Sequence, residues 1–200
     1  MSSIEPRLAA REIIVITGMR RVGKTTLLQM LYEQIESDNK AFLDMENILE
    51  QKVFEEVDYN NIWANLQAYG ITKNEKAYIF LDEIQAMPQI VKPIKYLYDH
   101  YDVKFFLTGS SSFYLKNLFP ESLAGRKMVF ELFALTFEEF LWFKGVTRKT
   151  HPAFRELETG KNSISYEKNK KLFEEYLAFG GFPQVVLAED EAQKKLYLKD

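Results

Sequence analysis

Residues 18–25 read Gly-Met-Arg-Arg-Val-Gly-Lys-Thr, with two glycines, a lysine and a threonine at fixed spacing. In the pattern G-x-x-x-x-G-K-[ST], backbone N–H groups at the start of a helix surround phosphate groups. Gly18 and Gly23 allow the backbone to curl closely around an anion because they carry no Cβ. Lys24 would place a positive charge on the β- and γ-phosphates, and the Thr25 hydroxyl would complete a Mg²⁺ shell. The segment therefore predicts a site for a nucleoside triphosphate with magnesium.

The flanking residues favour this interpretation over a strand-to-helix turn that merely needs its glycines. Residues 13–17 form a short, β-branched apolar run, and residues 24–36 carry leucines with helical spacing, so the loop lies between a buried strand and an amphipathic helix. The side chains of Arg20 and Arg21 fit a solvated loop face at least as well as they fit phosphate contact. The predicted cofactor-binding residues are Gly18, Met19, Arg20, Arg21, Val22, Gly23, Lys24, Thr25 and Thr26.

Two adjacent acids, Asp82 and Glu83, follow the apolar run at 77–81. In a nucleotide-hydrolysing protein with such a loop, the first acid holds the Mg²⁺ shell and the second polarises the attacking water. Order and position make Asp82 a predicted metal ligand, together with Thr25, and Glu83 the predicted general base. An apolar run that ends in acids also occurs where a strand simply enters a loop, and the loop at 18–25 favours the functional interpretation.

A further apolar run, at 105–107, ends in Thr108 and is followed by Gly109 and Ser110. A hydroxyl at the end of a strand can hydrogen-bond the γ-phosphate or the attacking water, so Thr108 and Ser110 are predicted sensors. The serines at 110–112 equally fit the N-cap of a helix. Both interpretations stay open.

Arg126 precedes the last predicted strand of the sheet. A guanidinium near the γ-phosphate would offset the charge that develops in phosphoryl transfer, whether it came from the same chain or from a neighbouring subunit. A surface arginine without a role in any site is the alternative of equal weight. The catalytic candidates are thus Lys24, Glu83, Thr108, Ser110 and Arg126.

Strand-like and helix-like patterns alternate over the first 132 residues. Apolar runs predict strands at 13–17, 41–43, 77–81, 105–108 and 127–132, and helical periodicity predicts helices at 24–36, about 60–69 and 89–101. This alternation predicts an α/β fold with a parallel sheet, helices on both faces and right-handed crossovers. Ligands bind such sheets at the carboxyl ends of the strands, where the candidate residues fall.

The pattern becomes mainly helical after residue 131. Thr136 and Glu139 have the spacing of a capping box, and a polar stretch at 144–165 reads as a loop. A second helix at about 166–179 ends at Gly180 and Gly181, before Pro183. We therefore predict a nucleotide-binding core over 1–132 and a helical lid, or the start of a winged-helix region, over 133–200.

Composition excludes several classes of site. The chain has no cysteine, so disulfides, thiolate zinc sites and cysteine nucleophiles are excluded. Its net charge of −3 argues against coating nucleic acid by bulk electrostatics. No run approaches the roughly 18 apolar residues of a transmembrane helix, and the first residues are unlike a signal peptide. A cytoplasmic protein without a membrane partner is expected. No N-K-x-D or D-x-x-G motif is present, which favours ATP over GTP.

Six segments together resemble the bacterial and archaeal ATP-binding proteins of the AAA+/STAND-like branch that carry an uncharacterised carboxy-terminal domain. They are GMRRVGKTTLL at 18–28, IFLDEIQ at 79–85, LTGSS at 107–111, LAGR at 123–126, LTFEEFL at 135–141 and YLAFGGFP at 176–183. The resemblance implies an additional-strand P-loop sheet of order 5-1-4-3-2, ATP hydrolysis and a winged-helix or helical lid. It also implies a nuclease-like domain further on, which has no counterpart in these 200 residues.

The leading functional hypothesis is an ATPase that uses Mg²⁺ and drives a conformational switch in attached domains. The alternative is a nucleotide-dependent DNA- or protein-binding switch with negligible turnover, which would not need a base at Glu83. A small-molecule kinase is disfavoured because no arginine-rich lid segment follows residue 100. The expected partners are ATP, a second copy of the chain, and DNA or protein bound through domains absent from this chain.

The last residues predict a helix that begins after Asp190, with Gln193 at the third helical position. Ala192, Leu196 and Tyr197 would begin an apolar face that has nothing obvious to pack against. We therefore expect the chain to be the front part of a longer protein.

Overall fold

The computed structural model describes residues 4–8, 10–109, 125–146 and 163–199, without the side chains of 163–166. The chain divides into two compact units, Met1–Leu132 and Phe133–Asp200. Within the described ranges, none of the helices is both long and apolar enough to cross a bilayer.

The first unit contains one five-stranded sheet in which all neighbouring strands are parallel. The strands are β1 (Ile13–Gly18), β2 (Lys40–Asp44), β3 (Ala77–Asp82), β4 (Val103–Gly109) and β5 (Lys127–Leu132), in the order β2-β3-β4-β1-β5. This is the predicted order 5-1-4-3-2 read from the other edge, so the predicted fold class is confirmed. Strands β1 and β4 are buried along their whole length because helices cover both faces of a parallel sheet. Their continuous apolar sequences follow from that position.

Among the described residues, four α-helices lie between these strands: α1 (Lys24–Gln34), α2 (Ile48–Gln51), α3 (Tyr59–Gln67) and α4 (Val91–His100). Short 3-10 turns lie at Glu5–Arg7, Ile84–Ala86 and Pro88–Ile90. Helices α1, α3 and α4 agree with the predicted spans to within about two residues at each end, which is the usual uncertainty of a helix boundary. Helix α2 was not predicted. The side chain of Asn47 caps it by accepting a hydrogen bond from the Leu49 N–H at 3.0 Å.

The side chains of the central strands alternate between two apolar layers. Val15, Leu81 and Leu107 pack with α3 and α4 on one face of the sheet. On the other face Phe80 and Phe106 stack with ring centroids 4.4 Å apart, in the layer that also contains Leu28 and Leu31 of α1. Full burial of each such side chain contributes roughly 2 kcal/mol. Both layers hold the carboxyl ends of β1, β3 and β4 in fixed register.

The second unit contains α5 (Phe137–Phe143), α6 (Ser163–Phe179), α7 (Pro183–Leu187) and α8 (Glu191–Lys199). The predicted capping box starts α5, since Thr136 Oγ1 accepts from the Glu139 N–H at 3.3 Å and the Thr136 N–H donates to Glu139 Oε2 at 2.8 Å. Gly181 must be glycine because a Cβ there would lie 2.1 Å from the Leu135 carbonyl oxygen. Residues 163–165, which were predicted to belong to a loop over 144–165, instead begin α6.

Helix α8 begins as predicted, with the Gln193 N–H donating to Asp190 Oδ1 at 2.8 Å. Ala192 and Leu196 are exposed, which agrees with the prediction that their apolar face has nothing to pack against, and the buried residue of the helix is Lys194. The Lys194 ammonium lies 2.6 Å from Glu175 Oε1, which also accepts from Lys144 at 2.9 Å. Burial raises the pKa of Glu175, but the hydrogen bonds from both lysines outweigh it and hold that pKa below its usual value.

Candidate nucleotide-binding site

The backbone of the glycine-rich loop requires both of its glycines. Gly18 ends β1 with φ +151°, and a Cβ there would lie 2.2 Å from the carbonyl oxygen of Leu132 on the neighbouring strand. Gly23 caps α1 in the left-handed region, with φ +97°. Arg21 has φ +67°, a conformation that side chains rarely adopt. The loop therefore turns sharply from β1 into α1, and directs the first N–H groups of α1 toward the carboxyl edge of the sheet.

Lys24 is buried at the start of α1, and its ammonium donates to the Met19 carbonyl oxygen at 2.9 Å. Burial lowers the pKa of Lys24 below its ordinary value. The carboxylates of Glu83 and Asp82 oppose that shift, and Arg20 adds to it. Lys24 is thus a desolvated cation within electrostatic reach of both predicted acids, and a phosphate beside it would favour its charged form.

Asp82, Glu83 and Thr108 form one hydrogen-bonded unit across the ends of β3 and β4. The Thr108 hydroxyl donates to Asp82 Oδ1 and accepts from the Glu83 N–H at 3.0 Å. Thr108 is fully buried and Asp82 is 5% exposed. Glu83 adopts the left-handed conformation, with φ +50°, and begins the turn Ile84–Ala86. The structure therefore brings together the predicted metal ligand, base and sensor.

The other loop residues divide by exposure. Val22 is buried, so its side chain packs beneath the loop and only its backbone could reach a phosphate. Exposed side chains belong to Met19, Arg20, Arg21, Thr25 and Thr26. The Thr25 hydroxyl, in the first turn of α1, is therefore accessible to a metal ion or its water.

The oxygen donors of this site fit Mg²⁺. In the described part of the chain, no group of three or more His, Cys, Asp or Glu side chains could hold a metal ion by itself. Magnesium does not need such a group, because it is usually held by one or two carboxylates together with phosphates and waters. Asp82 Oδ1 already accepts from Thr108, and a carboxylate has further lone pairs for a cation or its water. Asp82 and Thr25 are accordingly the residues that would hold Mg²⁺ beside a triphosphate.

Arg126 lies away from this site. Its carbonyl oxygen accepts from the Ile13 N–H at 2.7 Å, which places it at the amino end of β1, whereas the glycine-rich loop follows the carboxyl end. A strand of six residues, such as β1, spans about 20 Å. The guanidinium instead contacts Asp99, with Nε 3.0 Å from Oδ1. The structure therefore places Arg126 far from the glycine-rich loop of its own chain, and its action on the γ-phosphate of a neighbouring subunit stays a prediction. Ser110 lies outside the described residues.

Two polar side chains at the carboxyl edge of the sheet were not predicted. Gln85 donates from Nε2 to Glu83 Oε2, and its signal in the sequence is an amide two residues after the predicted base. Thr17 immediately precedes the loop, and its Oγ1 is buried with no hydrogen-bond partner, a state shared among described side chains only with Trp63 Nε1. The sequence signal for Thr17 is that it carries the one hydroxyl in the run at 13–17.

The parallel sheet and the glycine-rich loop at its carboxyl edge define a P-loop nucleotide-binding domain. Residues 10–141 match the model of the AAA domain family, and the chain belongs to that family.

Curated relatives are similar in sequence along nearly the whole chain. An uncharacterized protein of Methanocaldococcus jannaschii is 32% identical over 198 residues, which are 98% of this chain and 41% of that protein. An uncharacterized protein of Haemophilus influenzae is 28% identical over 189 residues, or 92% of this chain and 42% of that protein. The chain thus spans about two fifths of the length of the curated relatives it matches.

Solved structures are similar in fold at low sequence identity. Caenorhabditis elegans PCH-2 has a TM-score of 0.54 at 14% identity, over 96% of this chain and 60% of that one. The Aeropyrum pernix ORC2 protein in its ADP form has a TM-score of 0.52 at 15% identity, over 92% and 57%. The A. pernix ORC1 protein in complex with DNA has a TM-score of 0.53 at 12% identity, over 72% and 47%. At these identities the likeness shows the fold alone.

Proposed function

We propose that this chain hydrolyses ATP with Mg²⁺, and that hydrolysis drives a conformational switch in domains attached to it. The proposal rests on one observation, the hydrogen-bonded unit of Asp82, Glu83 and Thr108 within electrostatic reach of Lys24. A binding loop needs a lysine and its glycines. It does not need a second carboxylate whose backbone is fixed beside the metal-ligand candidate.

Nucleotide binding would use the loop and the cation beside it. The N–H groups at the start of α1 and the Lys24 ammonium would hold the β- and γ-phosphates. For the phosphates to be bound, Lys24 must share or release its present acceptor, the Met19 carbonyl oxygen. Asp82 and Thr25 would hold Mg²⁺, which when bound neutralises charge that develops on the phosphate oxygens.

Hydrolysis would use Glu83 as general base. Its carboxylate would accept a proton from a water molecule as the water oxygen bonds to the γ-phosphorus and the bond to the β-phosphate oxygen breaks. Thr108 contributes by fixing the Glu83 backbone and the Asp82 carboxylate in one arrangement. General-base catalysis of this kind commonly contributes 10²–10⁴-fold.

ATP is the proposed nucleotide because the sequence lacks base-reading motifs of GTPases, and a fold neighbour was solved in its ADP form. The length of the relatives supports attached domains. Two finer assignments remain part of the proposal: residues 133–200 as a helical lid or the start of a winged-helix region, and a nuclease-like domain beyond them. No specific observation favours the alternative of a binding switch with negligible turnover.

Phosphate release tests the proposed function. Wild-type chain should release phosphate from ATP in Mg²⁺ and lose this activity in EDTA, and Lys24→Ala should lose it because MgATP no longer binds. Lys92→Ala is the matched control, since Lys92 is an exposed lysine on α4. Release that is unaffected by EDTA or by Lys24→Ala would contradict the proposal.

A further inference from the structure

The carboxylate of Glu83 is held by a side chain from its own turn. Gln85 Nε2 donates to Glu83 Oε2, and both residues are half-buried. The left-handed conformation of Glu83, with φ +50° and ψ +46°, reverses the chain so that side chains two residues apart can meet. This conformation is sterically unfavourable for any residue with a Cβ, and such conformations concentrate at functional sites.

Neighbouring contacts fix the backbone on which Gln85 is mounted. Ile84 and Met87, on either side of it, are each 1% exposed in the apolar layer of α3 and α4. The Ala86 N–H donates to the Glu83 carbonyl oxygen at 2.9 Å, and the Met87 N–H donates to that of Ile84 at 3.1 Å. The Gln85 amide is therefore presented from a rigid turn.

We propose that Gln85 is a positioning residue that orients the Glu83 carboxylate for proton abstraction, an inference that rests on the proposed ATPase function. A glutamate side chain is flexible, and fixing it in advance removes a cost that would otherwise fall on the reaction. The Gln85 N–H occupies a lone pair of Oε2, which leaves Oε1 to accept the proton of the attacking water. Gln85 acts only through Glu83.

The test is the substitution Gln85→Met, which keeps the length of the side chain and removes its N–H donors. We expect kcat for phosphate release to fall about tenfold, because misplacement of a catalytic group affects the chemical step. KM for ATP and the affinity for ADP should stay unchanged, because the binding loop is intact. In a Glu83→Gln background, Gln85→Met should cause no further loss, since the group that it positions is no longer a base.

Gln51→Met is the matched control. Gln51 donates from Nε2 to the Met45 carbonyl oxygen at 2.7 Å, so this variant removes a comparable amide contact that does not involve the base. An equal fall in kcat in both methionine variants would overturn the proposal. A further loss in the Glu83→Gln background would also overturn it, because Gln85 would then act independently of Glu83.

A second measurement does not require turnover. The side-chain amide resonances of Gln85, assigned by their absence in Gln85→Met, should show slow hydrogen exchange that becomes fast in Glu83→Ala. Unchanged exchange in Glu83→Ala would overturn the inferred contact. Wild-type chain without Glu83-dependent phosphate release would instead contradict the proposed ATPase function, and these resonances would then decide separately whether Gln85 holds Glu83.

Discussion

The Thr108 hydroxyl donates a hydrogen bond to the Asp82 carboxylate and so joins the carboxyl ends of β4 and β3. The same hydroxyl accepts from the Glu83 N–H at 3.0 Å. One buried side chain therefore fixes the candidate metal ligand and the backbone of the candidate base.

Thr108→Val should destabilise the fold although valine matches threonine in shape. The substitution leaves a buried carboxylate and a backbone N–H without their partner, and we expect the free energy of unfolding to fall by about 2 kcal/mol. Urea denaturation measures this. Thr108→Ser keeps the hydroxyl and should recover most of the loss. A valine variant as stable as the wild type would show that this bridge does not hold the two strand ends.

Thr25→Ala should weaken nucleotide binding mainly when Mg²⁺ is present. The Thr25 side chain is exposed in the first turn of α1, so its loss should remove a metal contact without disturbing the core. We expect affinity for MgATP to fall on the order of tenfold, as for the loss of one contact to a charged group. Calorimetric titration with ATP in EDTA is the internal control. Equal weakening with and without Mg²⁺ would assign Thr25 to the phosphates.

Lys104 should make stability rise with pH in the alkaline range. Its side chain is fully buried in β4, where Nζ donates to the carbonyl oxygens of Arg7, at 3.1 Å, and Glu12. Burial, with a smaller contribution from Lys76, lowers the pKa of Lys104 to about 8. Between pH 8 and the ordinary value of 10.5, the unfolded chain binds more protons than the folded chain, so folding becomes more favourable as pH rises.

The size of this effect is up to roughly 3 kcal/mol across that range. Other alkaline groups also titrate there, so the measurement is the difference in unfolding free energy between wild type and Lys104→Met at several pH values. We expect the free energy of unfolding of the wild type to rise relative to that of the variant as pH rises from 8. Parallel curves would show that Lys104 keeps its ordinary pKa in the folded chain.

Arg126 should influence turnover only through association of chains. The side chains of Arg126 and Asp99 are 35% and 32% exposed, so their ion pair contributes less than about 1 kcal/mol to stability. At protein concentrations where the chain is monomeric, Arg126→Ala and wild type should release phosphate at the same rate. At concentrations where chains associate, wild type alone should become faster. A lower rate in monomeric Arg126→Ala would contradict this.

Mixing two variants at concentrations where chains associate separates the roles further. A mixture of Arg126→Ala with Glu83→Gln should release phosphate faster than either variant alone if the arginine acts between subunits. One chain then supplies the arginine and its neighbour supplies the base.

The sequence was sufficient for features that depend on local patterns. The loop at 18–25 and the apolar runs of the strands are each encoded in a few consecutive residues, and the structure has them where they were predicted. Asn47 and Glu50 have the spacing of a helix start, so α2 could have been found by the same rule that found Thr136 and Glu139.

Features that depend on residues distant in sequence were harder to predict from the sequence. Arg126 precedes a strand, and the parallel register of β5 with β1 places this position at the opposite edge of the sheet from the loop. Helical spacing placed Leu196 on an apolar face with Ala192 and Tyr197. It did not indicate that Lys194 would be the buried residue of α8, because that burial depends on an ion pair with Glu175 of another helix. The contact between Gln85 and Glu83 depends on the left-handed conformation of Glu83, and the residue types in this segment do not predict that conformation.

The most direct test of the account compares wild type with Glu83→Gln for both binding and turnover in the same preparation. Glutamine keeps the shape of the side chain but cannot accept the proton. Calorimetry should give an MgATP affinity within about threefold of wild type. This corresponds to a difference in binding free energy of less than about 1 kcal/mol. Phosphate release should be slower by 10²–10⁴-fold. A Glu83→Gln chain that binds MgATP and releases phosphate at the wild-type rate would contradict the assignment of the base.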